Sequence, residues 1–182
     1  SEAEFANVGV AGRYHVRGAF LDEVIRAWRH LFAGSSEPFR GRFLAFEDFS
    51  FGPLPAQGDR LPIVVGGRDP RALRRAGALG DGYHASSRSP AQVAEAVPIV
   101  RAAAAEAGRP DPGFSARVRV RFSGDAPAPY GLSGSPADML REVRAFEAAG
   151  VTELALAFGQ SDAERVRDDM ERFDREVLAA LA

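Results

Sequence analysis

An α/β fold of four consecutive strand-helix units is what this sequence predicts, and three observations carry the prediction. From Leu61 onward, short apolar runs alternate with stretches of helical periodicity. Each helical stretch opens on a cap: Asp69-Pro70, Ser89-Pro90-Ala91-Gln92, Ser135-Pro136-Ala137-Asp138 and Ser161-Asp162-Ala163-Glu164. In such openings a side-chain oxygen accepts from the unpaired N–H groups of the first turn, and proline is tolerated because its missing N–H is one of them. Three of the four helices then close on a glycine, at Gly80, Gly108 and Gly150.

Ahead of these units lies a polar, glycine-bearing start, followed by Leu21, Val24, Ile25, Trp28, Leu31 and Phe32 at the spacing of one helix face, with Gly34 as its stop. The phenylalanines of 39–51 surround Gly41, which predicts a hairpin whose aromatics cap something apolar. The first unit is a strand over 61–65 and a helix from Pro70. The second is a brief strand around Tyr83 and a helix ended by Gly108. A third strand, 114–122, precedes the helix stopped at Gly150. The fourth, 151–158, precedes a last helix with Val166, Met170, Phe173, Val177, Leu178 and Leu181 on its apolar side. Alternation of this kind implies parallel strands with right-handed crossovers. An open doubly wound sheet and half of an eight-unit barrel both satisfy it.

Composition narrows the function. With 182 residues, 46% of them hydrophobic, the chain can bury a core as one domain, 1–60 supplying the helix and hairpin and 61–182 the four units. A net charge of -2 gives no electrostatic case for nucleic acid or an anionic membrane. The absence of cysteine removes disulfides and thiolate chemistry and fits a cytoplasmic location. No apolar run is long enough to span a bilayer. The three histidines are scattered, with no metal-ligand spacing, and neither a Gly-x-Gly-x-x-Gly run nor a P-loop occurs.

The stretch from Val64 to His84 holds the candidate site. Val65-Gly66-Gly67-Arg68 ends a strand and leads into a helix N-terminus, where free N–H groups and the helix dipole favour an anion. Two readings stand: a cofactor cradle at Gly66, Gly67 and Arg68, or a tight turn that requires positive φ. As a cradle, Gly67→Val would block a ligand and leave the helix from Pro70 intact. Gly80-Asp81-Gly82 reads as a helix cap and a turn. His84 and, past Ser86 and Ser87, Arg88 follow the second strand and are candidates for substrate contact, or else solvated loop residues. Arg117, Arg119 and Arg121 alternate onto one face of the third strand. Partly solvated packing is the expectation for them, with anion binding as the alternative.

Several stretches, taken in order, bear a likeness to a known family. They are Arg17-Gly-Ala-Phe-Leu-Asp-Glu23, Phe39-Arg-Gly-Arg-Phe43, Gly52-Pro53-Leu54-Pro55-Ala56-Gln57, Pro62-Ile-Val-Val-Gly-Gly67, Ala72-Leu-Arg-Arg-Ala76 and Leu79-Gly-Asp-Gly-Tyr83. Together they resemble the luciferase-like monooxygenase superfamily, and most of all its branch of oxidoreductases dependent on the deazaflavin coenzyme F420. The chain departs from that pattern at Leu54, where many relatives carry lysine. The resemblance implies a TIM (β/α)8 barrel, which needs about 250 residues. This chain is therefore expected to be the carboxyl-terminal half of one, truncated, with no counterpart of the residues the family places near the reactive centre on its early strands. It implies coenzyme F420, or alternatively FMN, as cofactor, a small organic molecule as substrate, and hydride transfer or monooxygenation as the reaction. A homo-oligomer is expected. The competing expectation is a non-catalytic half-barrel that associates with itself or a partner through an apolar open face and unpaired strand edges.

Overall fold

The computed structural model describes residues 1–122, 130–159 and 162–181, so that Ser161 of the expected last cap lies outside the described residues. The chain divides into two compact units, Ser1–Ile63 and Val64–Ala182.

The first unit opens on a helix where only a polar start was expected: α1 (Glu2–Asn7), begun by a capping box of Ser1 and Glu4. Helix α2 (Arg17–Phe32) forms where the apolar spacing predicts it, but its buried side is different. Ile25 and Ala27 are buried together with Glu23, whereas Trp28 is 43% exposed and is not part of the core. The hairpin explains the shift. Strands β1 (Phe39–Arg40) and β2 (Ala45–Phe46) pair antiparallel, and the turn between them leaves backbone donors pointing inward. The Glu23 carboxylate accepts from the N–H groups of Arg42, Phe43 and Leu44 at 2.7, 2.7 and 2.5 Å. A Cβ on Gly41 would lie 2.3 Å from that carboxylate, so the acid dictates the glycine. Phe39 and Phe46 stack at 5.2 Å, and His30 packs edge-on to Phe39 while its Nε2 donates to the Glu37 carbonyl at 2.7 Å. His30 is thereby a packing residue.

The second unit is a parallel sheet with helices. Its elements are β3 (Val64–Gly66), α3 (Pro70–Leu79), β4 (Gly82–Ser86), α4 (Pro90–Glu106), β5 (Gly113–Arg121), β6 (Gly131–Ser133), α5 (Pro136–Ala148), β7 (Glu153–Phe158) and α6 (Ala163–Glu176). Strands β3, β4, β5 and β7 are neighbours in chain order, all parallel. The order never reverses, which removes the doubly wound alternative, since such a sheet turns back at a switch point. It is a segment of a barrel wall. The short β6, which the sequence did not announce, pairs with Arg119–Arg121, beyond the part of β5 that β4 reaches.

The expected caps hold α3, α4 and α5: Asp69, and the Ser89–Gln92 and Ser135–Asp138 boxes. Asp162 caps α6 by accepting from Glu164 N–H at 2.9 Å. Gly80 does end α3, yet in extended backbone (φ -88°, ψ 171°), so the chain passes straight into β4. The last helix stops at Glu176, and its apolar side is narrower than expected: Phe173 and Val177 are buried, but Met170 is 52% exposed. Alternate residues of the central strands (Val65, Tyr83, Ala85, Phe114, Ala116, Val118, Val120) are buried, each large one contributing about 1.5–3 kcal/mol. Helices α3 and α4 approach so closely that a Cβ on Gly77 would lie 2.1 Å from the Val100 carbonyl oxygen.

The opposite face of the sheet corrects the expectation of an apolar open surface. Val64 is exposed there, but the other outward positions are polar, small or charged: His84, Ser86, Ser115, Arg117, Arg119, Arg121, Glu153 and Ala155. Among the described residues, β3, β6 and β7 each pair on one side only, so unpaired strand edges remain.

Candidate functional site

Register sets the carboxyl end of β3 level with the middle of β4 and with the amino-terminal parts of β5 and β7. Gly66 pairs with His84, His84 with Ser115 and Ser115 with Glu153, which puts these four in one row across the outward face. Ser86 and Arg117 stand in the next row. His84 Nδ1 and Ser115 Oγ are hydrogen-bonded at 2.9 Å. Ser115 was not foreseen, because no spacing rule joins two residues of different strands; only the β4–β5 register does.

Of the two adjacent glycines, the fold itself needs one. Gly67 has φ +144°, and a Cβ there would lie 2.3 Å from Ala72 Cβ in the first turn of α3. Its glycine is explained by the turn. Gly66 is different: a Cβ would meet only the His84 carbonyl oxygen, at 3.4 Å, an ordinary contact. The expectation that Gly67→Val would leave the helix untouched is therefore corrected, because that side chain would strike the helix.

The helix N-terminus also differs from the expected anion cradle. Asp69 Oδ1 accepts from the N–H groups of Arg71 and Ala72 at 2.9 and 3.1 Å. The Ala72 donor holds the Asp69 carboxyl below its ordinary pKa, against the effect of burial. A carboxylate already serves the dipole of α3, so a second anion must find its donors elsewhere. Cationic side chains supply them. Arg68 is exposed and donates to the Ser86 carbonyl at 3.3 Å, while Arg88 donates to the Arg68 carbonyl at 3.4 Å. The two arginines thus tie the loops after β3 and β4 to each other. Arg88 Nε is buried without a hydrogen-bond partner. Below them Tyr83, 1% exposed, donates its hydroxyl to the Gly67 carbonyl at 2.8 Å, and burial raises its pKa. The sequence contains Tyr83 beside His84, but nothing in the one-dimensional pattern links it to Gly67.

Gly66, Gly67, Arg68, His84 and Arg88 are brought to one end of the sheet. Asp81 is not; it pairs with Arg109 at 2.8 Å before β4 begins, at the other end. A shallow groove lined by Arg74, Pro98, Ala102 and Glu106 lies on α3 and α4, away from the strand ends. Among the described residues, no group of three or more potential ligands could hold a metal ion, and no helix is long and apolar enough to cross a membrane. The strand-end face offers an uncovered glycine, guanidinium groups and an imidazole hydrogen-bonded to a hydroxyl, groups whose chemistry is complementary to an anionic, planar ligand.

Comparison with known proteins accords with this geometry. The family model of the luciferase-like monooxygenases matches residues 1–128. Uncharacterized proteins of Mycobacterium tuberculosis (strain H37Rv) and Mycobacterium bovis are each 31% identical over 142 residues, 78% of this chain and 43% of theirs. The chain thus spans less than half the length of these curated relatives. Among solved structures, a monooxygenase from Streptomyces bottropensis, RslO1, superimposes with a TM-score of 0.77 at 19% identity, over 99% of this chain and 66% of that one. An F420-dependent secondary alcohol dehydrogenase in complex with an F420-acetone adduct gives 0.74 at 16% identity, over 90% and 63%. A riboflavin lyase, RcaE, with modified FMN and riboflavin, gives 0.72 at 13% identity, over 91% and 57%. At these identities the likeness is one of fold.

Proposed function

The chain belongs to the luciferase-like monooxygenase family, and from that premise we propose that its strand-end face binds a flavin or deazaflavin, coenzyme F420 or FMN, in an oxidoreductase acting on a small organic molecule. The observation that carries the reading is Gly66. It ends a strand on the outward face, opposite His84, and the fold has no need of a glycine there. In barrels of this architecture, the carboxyl ends of the strands are where ligands meet the protein. An uncovered backbone at that point lets a ring or phosphate approach closely.

The residues present fit such a group. Arg68 and Arg88 would hold a phosphate, the guanidinium fork matching its oxygens. The two loops that carry them are pinned to each other, so little ordering remains to be done on binding. Gly66 leaves room for the ring, and His84, oriented by Ser115, faces the same side for substrate contact. When bound, the cofactor supplies the hydride or oxygen chemistry; the protein contributes binding, orientation and charge.

Absorbance titration with FMN and with F420 tests the proposal. One of the two is expected to bind at micromolar concentration, with Arg68→Gln weakening it about ten-fold, the worth of one charge-assisted contact. If neither binds, or if the Arg68 variant binds as the parent does, the assignment of this face fails.

A further inference from the structure

Tyr83 sits where an apolar ring alone would serve the core. It lies on the buried face of β4, in register with Val65 on β3 and Phe114 on β5, all three buried. A phenylalanine would fill the same layer without bringing a polar atom into it, and a buried hydroxyl has to be given a partner. The partner is the Gly67 carbonyl, at 2.8 Å.

That carbonyl belongs to no regular element. Strand β3 ends at Gly66, and the ladder of α3 begins with the Asp69 carbonyl, which accepts from the Leu73 N–H at 3.1 Å. Gly67 and Arg68 are the two residues between. Both of their carbonyls receive donors from outside the turn: Gly67 from Tyr83, and Arg68 from Arg88 Nη1 at 3.4 Å. Tyr83 lies on β4 and Arg88 in the loop after it, so one strand and its loop hold the turn of the neighbouring strand at two successive peptide units.

A peptide unit held by its oxygen is held as a whole. The cis bond among the described residues is Gly52-Pro53, so the Gly67–Arg68 bond is trans, and the Arg68 N–H points opposite to the Gly67 carbonyl, away from the buried ring. The same plane fixes where the Arg68 side chain departs, and its Nη2 then reaches the Ser86 carbonyl at 3.3 Å. From beneath the turn, the hydroxyl thus sets a backbone donor and the guanidinium beside it. Burial raises the Tyr83 pKa, with the charges of Arg88 and Arg68 opposing, so the phenol keeps its proton and donates at neutral pH.

We propose that Tyr83 is a positioning residue for the cofactor phosphate, acting through the Gly67 carbonyl on the peptide and side chain of Arg68. At 1% exposure it touches no ligand itself. This role rests on the flavin reading of the strand-end face and adds to it a group buried behind that face.

Tyr83→Phe keeps the ring and removes the hydroxyl. It is titrated with FMN and riboflavin, or with F420 and its phosphate-free deazaflavin core where the parent binds F420. The variant should keep the parental circular dichroism spectrum and bind the phosphate-bearing cofactor about ten-fold more weakly, the effect of misplacing one charge-assisted contact, while its affinity for the phosphate-free flavin stays parental. A hydroxyl that served the fold alone would lower the melting temperature and leave the ratio of the two affinities unchanged, and that result, or a variant that does not fold, overturns the proposal. Thr152→Val removes another hydroxyl bound to a strand carbonyl, that of Phe114 at 3.3 Å, just before β7 and across the sheet from β3. It should leave both affinities parental; a loss equal to that of Tyr83→Phe counts against a specific role for Tyr83 and overturns it. A parent that binds neither FMN nor F420 overturns this role together with the flavin reading, whereas a parent that binds one of them, with Tyr83→Phe binding it equally well, overturns this role alone.

Discussion

At the scale of single residues, the two adjacent glycines after β3 have opposite reasons for being glycine. Gly67 is held at φ +144° with Ala72 Cβ where a side chain would go. A β-branched residue there must distort the turn, so Gly67→Val should destabilise the protein by about 1–3 kcal/mol in urea unfolding, with any binding loss following from the fold. Gly66 has ordinary space. Gly66→Val is expected to leave the urea midpoint nearly unchanged and to weaken FMN or F420 at least ten-fold. A folded Gly66→Val protein with parental affinity would remove this glycine from the site. The sequence marks the pair as special but cannot rank its members, because the atoms that decide belong to Ala72 and His84, five and eighteen positions away from the glycine each one faces.

At the scale of elements, the structure turns two remote motifs into one device. Glu23 lies on α2 and Gly41 in the hairpin, and the carboxylate of the first fills the place a side chain of the second would take. Burial alone would raise the Glu23 pKa, but the N–H groups of Phe43, Leu44 and Arg42 outweigh it and hold the group below the ordinary range. A depressed folded pKa means stability that is present above the unfolded pKa and lost as pH falls through the folded one. Thermal melts between pH 7 and 3 should therefore show Tm falling below about pH 4.5, the usual range for glutamate. Glu23→Gln should melt lower at neutral pH and lose part of that acid dependence. An unaltered pH profile would show that the hairpin does not rely on the charge. The α3–α4 crossing offers a parallel case. Gly77→Ala should lower stability by about 1–3 kcal/mol, measured by urea unfolding, because the Val100 carbonyl occupies the space of the methyl group.

At the scale of the whole molecule, local chemistry determined most of what was legible in one dimension. Helix caps act within three or four residues and strand alternation within two, so the four strand-helix units, the Asp69, Ser89 and Ser135 caps and the outward arginines of β5 follow from short-range rules that a sequence displays directly. The order of motifs likewise identified the family, since it is itself a one-dimensional property. What the tertiary structure decided are matters of which segment lies beside which. The unreversed order of β3, β4, β5 and β7, the added strand β6, the Ser115 beside His84 and the Tyr83 beneath Gly67 all depend on register between strands. So does the polar outward face, because each strand's pattern states that it has two faces and only pairing states which residues share one. The exposure of Trp28 and Met170 has the same origin: helical periodicity offers an apolar stripe, and how much of it is covered depends on what packs there.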